Sequence, residues 1–230
     1  MKKILVAVLS LVLVMNSASF RAEASDKTVF DKSKVDESFV KLLETEPDLL
    51  LEQYGNVVDI QTMTLSTKSR SSEGIEIEAC VYGEDGVAHL LEAEATLTKV
   101  IYQDVSFLSL SDDENLSTLY VLSTSADEKV SDESGTQEGV TLYAAITWID
   151  HVGLQNELVS LSGSRSGSYT GDGSYVCNAR TTPVTSGEFE ESFNDSNKKG
   201  QKGYSFTLSV FSKSTSGKTV KVMAKTSAFD

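Results

Sequence analysis

Ser205-Phe-Thr-Leu-Ser-Val-Phe-Ser-Lys213 and Thr219-Val-Lys-Val-Met-Ala-Lys-Thr-Ser227, joined through Ser214-Thr-Ser-Gly217, decide the fold. In the first segment Phe206, Leu208 and Val210 alternate with Ser205, Thr207 and Ser209; in the second, Val220, Val222 and Ala224 alternate with Lys221, Met223 and Lys225. A period of two places one set on each face of a strand, so the two segments read as a hairpin with one apolar and one wet face. Such a hairpin needs a second apolar layer to cover it.

Moving outward from this hairpin, the same period recurs. The further candidate strands are 57–65, 74–82, 89–102, 106–110, 117–123, 140–149, 157–162, 174–180 and 188–193, and the hairpin itself spans 204–213 and 219–227. Ser, Gly, Asp and Asn clusters separate them, and the chain has only two prolines. In the segment 140–149, Leu142, Ile146 and Trp148 point one way while Tyr143, Ala145 and Ile149 point the other, the pattern of a central strand covered on both sides. Trp148 is expected in the core. The Gly- and Ser-rich run 163–174 reads as a flexible loop or wide hairpin end, and 126–138 as an acidic connection.

Ahead of the strands the period is helical. Phe39, Leu42 and Leu43 follow Asp36, and Thr45-Glu46-Pro47-Asp48 precedes Leu49-Leu50-Leu51, with Gly55 as the stop. The fold class expected is therefore mainly β, an antiparallel β-sandwich or partly open barrel, preceded by two short N-terminal helices.

The first residues carry an address. Lys2 and Lys3, the apolar run from Ile4 to Met15 and Ala22-Glu23-Ala24 form a secretory signal peptide over 1–24, and the apolar run is too short to span a bilayer comfortably. Residues 25–35 read as a flexible leader, and 36–230 as a single β-rich domain whose helical preface is 36–54. The exported chain is expected to be secreted and extracellular, with no integral membrane segment after cleavage.

The formal net charge is −14, and loss of Lys2, Lys3, Arg21 and Glu23 with the signal takes it to −16. That excludes nucleic acid as a partner for the surface as a whole. Charge is unevenly placed, since seven lysines lie from Lys198 onward against the single acid Asp230. Either these basic strands lie beside acidic strands of the same domain, or Lys213, Lys221 and Lys225 form a surface that docks on anionic wall polymer or lipid headgroups.

Cys80 and Cys177 are the only cysteines. In an exported chain a Cys80–Cys177 disulfide is the expectation, closing a loop valued at about 4–5 kcal/mol by chain entropy. Two thiols do not make a structural zinc site.

No catalytic set emerges. His89 opens an apolar strand, and neighbours such as Asp150 and His151 on an extended chain point to opposite faces, so that pair orients an imidazole only if a turn before Gly153 intervenes. Neither Gly163–Gly167 nor Gly167–Gly171 holds a central serine, so no nucleophile elbow is present. Glu188 and Glu190 share a strand face at about 6.6–6.8 Å, the separation of a glycosidase carboxylate pair, but Glu76/Glu78 and Glu92/Glu94 do the same. No cofactor is expected. Calcium is the one metal left open, through Asp112, Asp113, Glu114, Asp127, Glu128 and Asp172, and no EF-hand spacing frames them. Tyr169 and Tyr175, in or beside the Gly/Ser run, are the candidate exposed aromatic contacts.

Tyr143-Ala-Ala-Ile-Thr-Trp-Ile-Asp-His-Val-Gly153, followed by Leu158-Val-Ser-Leu-Ser-Gly-Ser164, resembles a stretch of small secreted proteins of Gram-positive bacteria. The resemblance implies an exported β-rich domain and no particular activity. The expectation is a secreted, non-enzymatic binding protein whose partner is cell-wall polymer, glycan or protein. The alternatives are an exported hydrolase using a carboxylate pair and a secreted antagonist, toxin or inhibitor.

Overall fold

The structure, a computed structural model, describes residues 27–32, 35–67, 74–103, 116–128, 130–132, 135–137, 139–150, 155–178, 180–193 and 202–227. The signal-peptide reading, the candidate strand 106–110 and His151 lie outside them. The described chain runs through α1 (Glu37–Thr45), α2 (Pro47–Gln53), β1 (Val57–Ser66), β2 (Glu76–Tyr82), β3 (Ala88–Leu90), β4 (Ala93–Gln103) and β5 (Leu116–Asp127). After the small hairpin β6 (Val130–Asp132) and β7 (Gly135–Gln137) come β8 (Val140–Asp150), β9 (Asn156–Gly167), β10 (Gly173–Cys177) and β11 (Arg180–Val184). It closes with β12 (Glu188–Ser192), β13 (Lys202–Gly203), β14 (Ser205–Lys213) and β15 (Thr219–Ser227).

These strands form an antiparallel β-sandwich. One sheet has the order β1-β4-β5-β8-β9-β12, with β13 also on β9, and the other has the order β11-β10-β14-β15-β2-β3. Strand alternation supplies the core between them. Leu142, Ala144, Ile146 and Trp148 of β8 face Phe206, Leu208 and Val210 of β14 and Val220, Val222 and Ala224 of β15 in one apolar cluster. Trp148 is fully buried and stacks on Tyr120, ring centroids 5.1 Å apart. The Ser205–Ser227 hairpin thus turns its apolar face inward.

The first sheet is covered on its other face too. Val100, Leu119, Val121, Ile149 and Val159 form a second cluster with Phe39, Val40 and Leu43 of α1 and Leu50 of α2. This third layer explains why β8 is apolar on both sides. Asp36 caps α1 by accepting from the Phe39 N–H at 2.8 Å, a contact typically worth about 1 kcal/mol. Pro47 opens α2, where its missing N–H is no loss, while the Thr45 hydroxyl donates back to the Lys41 carbonyl instead of capping α2.

Four expectations about the chain's elements need correction. The segment 25–35 is not a free leader across its described part, because Phe30 is only 3% exposed and Val35 is buried in the helical layer. The Gly/Ser run is less loop than expected: β9 continues to Gly167, and its Ser162 and Ser164 pair with β12. The single strand 89–102 is two, with Leu91 and Glu92 between β3 and β4, and the segment 174–180 is split between β10 and β11 by a turn at Asn178, where φ is positive.

The Cys80–Cys177 disulfide is not formed. Cys177 faces the core in line with Leu208, Ala224 and Ile77, so three strand spacings, about 14 Å, separate β10 from β2. Cys80 points to the opposite face, since Ile77, Ala79 and Val81 take the core positions of β2. A bridge needs Cα atoms within about 7 Å. Among the described residues, no helix is long and apolar enough to cross a membrane.

Candidate functional site

The outer face of the first sheet changes character along its strands. Near the helices it is apolar, with Ile60, Val100, Leu119 and Ile149 in register. One step further the row reads Thr62, Thr98, Val121, Thr147, Ser160, and the next reads Thr64, Thr96, Ser123, Ala145, Ser162. The cause is local sequence. Thr-x-Thr at 62–64 and 96–98 and Ser-x-Ser at 123–125 and 160–162 place paired hydroxyls on one face of four strands. Threonine also suits a strand, because its branched β-carbon packs on the pleat.

Where α1 and α2 meet this surface they leave a groove of about 460 Å³. Thr96, Thr98, Ser123 and Ser125 form its floor, and Leu43, Glu44, Pro47 and Tyr143 are among the residues of its walls. The Tyr143 hydroxyl donates to Glu44 Oε1 at 3.1 Å, tying β8 to the end of α1. Thr62 and Thr98 hydroxyls meet at 3.4 Å. Ser123 is only 7% exposed, faces outward in register with Thr96, and has no hydrogen bond from its hydroxyl to another described residue.

Glu94 and Ser125 also line a second cleft of about 690 Å³ at the end of β4 and β5, with Glu92 and Asp127. Among the described residues lining the two clefts there are carboxylates but no lysine, arginine or histidine. The arrangement can donate and accept hydrogen bonds through its hydroxyls and accept through its acids. It offers no nucleophile paired with a base.

The residues singled out from sequence fall elsewhere. Lys221 donates to Glu78 at 2.8 Å and Lys225 to Glu76 at 3.0 Å across β15 and β2, so two of the three proposed docking lysines are held by acids of their own sheet. Lys213 is exposed at the end of β14. Tyr175 is not an exposed contact: it is buried, stacks on Phe189 with centroids 4.0 Å apart and donates to Glu191 at 2.9 Å. Tyr169 is half-buried under the Arg165 guanidinium, 4.2 Å from its ring centre. Glu188 and Glu190 do share a face, as expected, but both are exposed on β12 opposite Ser164 and Ser162. His89 is exposed on β3.

For calcium, Asp112, Asp113 and Glu114 lie outside the described residues. Asp127 and Asp172 are exposed, and Glu128 is buried with Lys218 Nζ at 3.6 Å, so its nearest cation is a side chain of the same domain. No group of three or more His, Cys, Asp or Glu that could share an ion occurs among the described residues.

The titration of Tyr82 is displaced. The Tyr82 phenol is pushed up to about 12, first by its hydrogen bond with Cys80, then by burial and by the negative charge that Cys80 and Glu78 bring. This cluster lies on the outer face of the second sheet, away from the groove.

Comparison of the chain with family models, with curated proteins and with solved structures finds no match. The site therefore rests on its own geometry.

Proposed function

We propose that the chain is an exported, non-enzymatic binding protein that holds its ligand in the groove between the helical layer and the first sheet. The observation that carries the reading is Ser123. Its hydroxyl lines the floor of an open groove beside Thr96, pairs with no other described residue and can both donate to and accept from something that enters. The volume of about 460 Å³ lies within the usual range of small-ligand clefts. The signal-peptide pattern and the resemblance to small secreted proteins of Gram-positive bacteria support a site of action outside the cell.

The test is retention on purified cell-wall sacculi and intact Gram-positive cells, using the chain as an exporting host releases it. Retention that falls in a Thr96→Val/Thr98→Val/Ser123→Ala variant with unchanged melting supports the groove. Valine keeps the shape and strand preference of threonine and removes only the hydroxyl. Retention that instead falls on replacing Lys213 with Gln would move the site to the β14–β15 face. Full recovery in the supernatant at low salt would overturn binding at the cell envelope.

A further inference from the structure

Within this binding reading, on which it rests, we infer that the groove takes an amine-bearing sugar chain and rejects anionic polymers. Hydroxyls sit at intervals of about 4.8 Å across strands and about 6.8 Å along them, a flat lattice of groups that each donate and accept. A polyhydroxylated ring presents the same two capabilities on every edge. Pro47, half-buried at the groove's edge, adds an apolar surface against which the C–H face of a ring can lie.

The acids decide the charge. Glu44 and Glu94, both exposed, flank the hydroxyl floor, and a carboxylate only accepts, so each can take a donor from the ligand in place of water. Glu44 already receives the Tyr143 hydroxyl on one oxygen, and its other oxygen remains to accept another donor. An ammonium group satisfies such acceptors with charge assistance, whereas a uronate or phosphate would meet like charge with no cation lining the groove among the described residues. The lysines expected from sequence to draw an anionic polymer include Lys221 and Lys225, which lie on the other sheet and are paired with Glu78 and Glu76.

The experiment is a two-dimensional amide NMR titration of the exported chain with four probes: tetra-glucosamine, its fully N-acetylated form, tetra-galacturonate and tetra-lysine. Tetra-glucosamine is expected to shift amides of Thr96, Thr98 and Ser123 and to bind about five- to tenfold tighter than the N-acetylated form at low salt. That preference should shrink as salt screens the carboxylates, and Glu94→Gln should remove much of it while leaving N-acetylated binding in place. Equal or tighter binding of tetra-galacturonate, or groove shifts from tetra-lysine as large as those from tetra-glucosamine, would overturn the sugar-amine assignment. So would the absence of groove shifts with both sugars. If groove-dependent retention on sacculi persists in that case, only the ligand class is wrong; if retention is absent as well, the binding reading falls with it.

Discussion

Replacing Asn56 with Ala should loosen the entire helical layer, because one buried amide holds its entry. Asn56 Oδ1 accepts from the Phe30 N–H at 2.7 Å, and Nδ2 donates to the Phe30 carbonyl at 3.1 Å and to the Gln103 carbonyl at 2.9 Å. Phe30 in turn lies against Tyr102 and Phe39, with ring centroids 4.9 and 5.2 Å away. Alanine deletes all three hydrogen bonds and leaves the Phe30 N–H and carbonyl without a partner at a buried position and the Gln103 carbonyl at a half-buried one. With each net bond worth about 0.5–1.5 kcal/mol, the loss should be about 2–4 kcal/mol, or about 5–15 °C in Tm. Urea unfolding measures the first quantity, and a trypsin time course at Lys27 and Lys32 reports whether the leader has come away. Asn56→Asp keeps the acceptor, loses both donated bonds and sets a carboxylate against two carbonyls, so it should be at least as damaging. A change below about 0.5 kcal/mol with unaltered proteolysis would refute the idea that Asn56 anchors this layer.

Gly163→Ala should cost about 1–3 kcal/mol in urea unfolding, since the added methyl would sit 2.7 Å from Phe189 Cζ and 2.9 Å from the Tyr143 carbonyl, and Phe189 is backed by Tyr175. Wild-type stability indicates that the Phe189–Tyr175 stack can slide. Tyr82 keeps its proton in the folded chain until about pH 12, whereas an unfolded tyrosine loses it near 10; stability is therefore fully present below 10 and falls as pH rises through 12. Absorbance titration should lose one late-ionising tyrosine in Tyr82→Phe and show an earlier one in Cys80→Ala; an unchanged Cys80→Ala curve would dismiss the thiol as the cause. Native protein should resist thiol alkylation and accept two equivalents on unfolding, with a mass indifferent to reductant, because both cysteines are buried and unbridged. Lys221→Gln and Lys225→Gln should each change stability by at most about 1 kcal/mol and leave retention on sacculi intact; lost retention would restore the β15 face as the binding surface.

Most of the fold was legible because period-two alternation is a local signal that sheet packing obeys. The Phe206–Val210 and Val220–Ala224 sets point inward, and the doubly apolar 140–149 segment is central with helices on one side and the second sheet on the other. What was obscured depended on partners distant in sequence. Phe30 looks like part of a polar leader until Asn56, Tyr102 and Phe39 converge on it. Gly163, Ser164 and Arg165 look like loop residues until β8 and β12 pair with them on either side. Small residues there are a packing requirement, since the Phe189 ring occupies the space a side chain at 163 would need.

The groove was hidden for a different reason. Each Thr-x-Thr or Ser-x-Ser pair is an ordinary wet strand face when read alone, and the serine-rich composition makes every such pair unremarked. Only the register of β1, β4, β5 and β8 aligns Thr62 with Thr98 and Thr96 with Ser123, and only the placement of α1 over that face converts an exposed surface into a groove. The lysines misled in the opposite sense: their charge was conspicuous in sequence, yet Glu76 and Glu78, some 140 residues earlier, neutralise Lys225 and Lys221 within the sheet. Conspicuous charge was thus spent on cross-strand pairing. The groove, by contrast, is lined by the Ser123 hydroxyl, which pairs with no other described residue, and that difference is why the proposed binding is placed there and not on the lysine face.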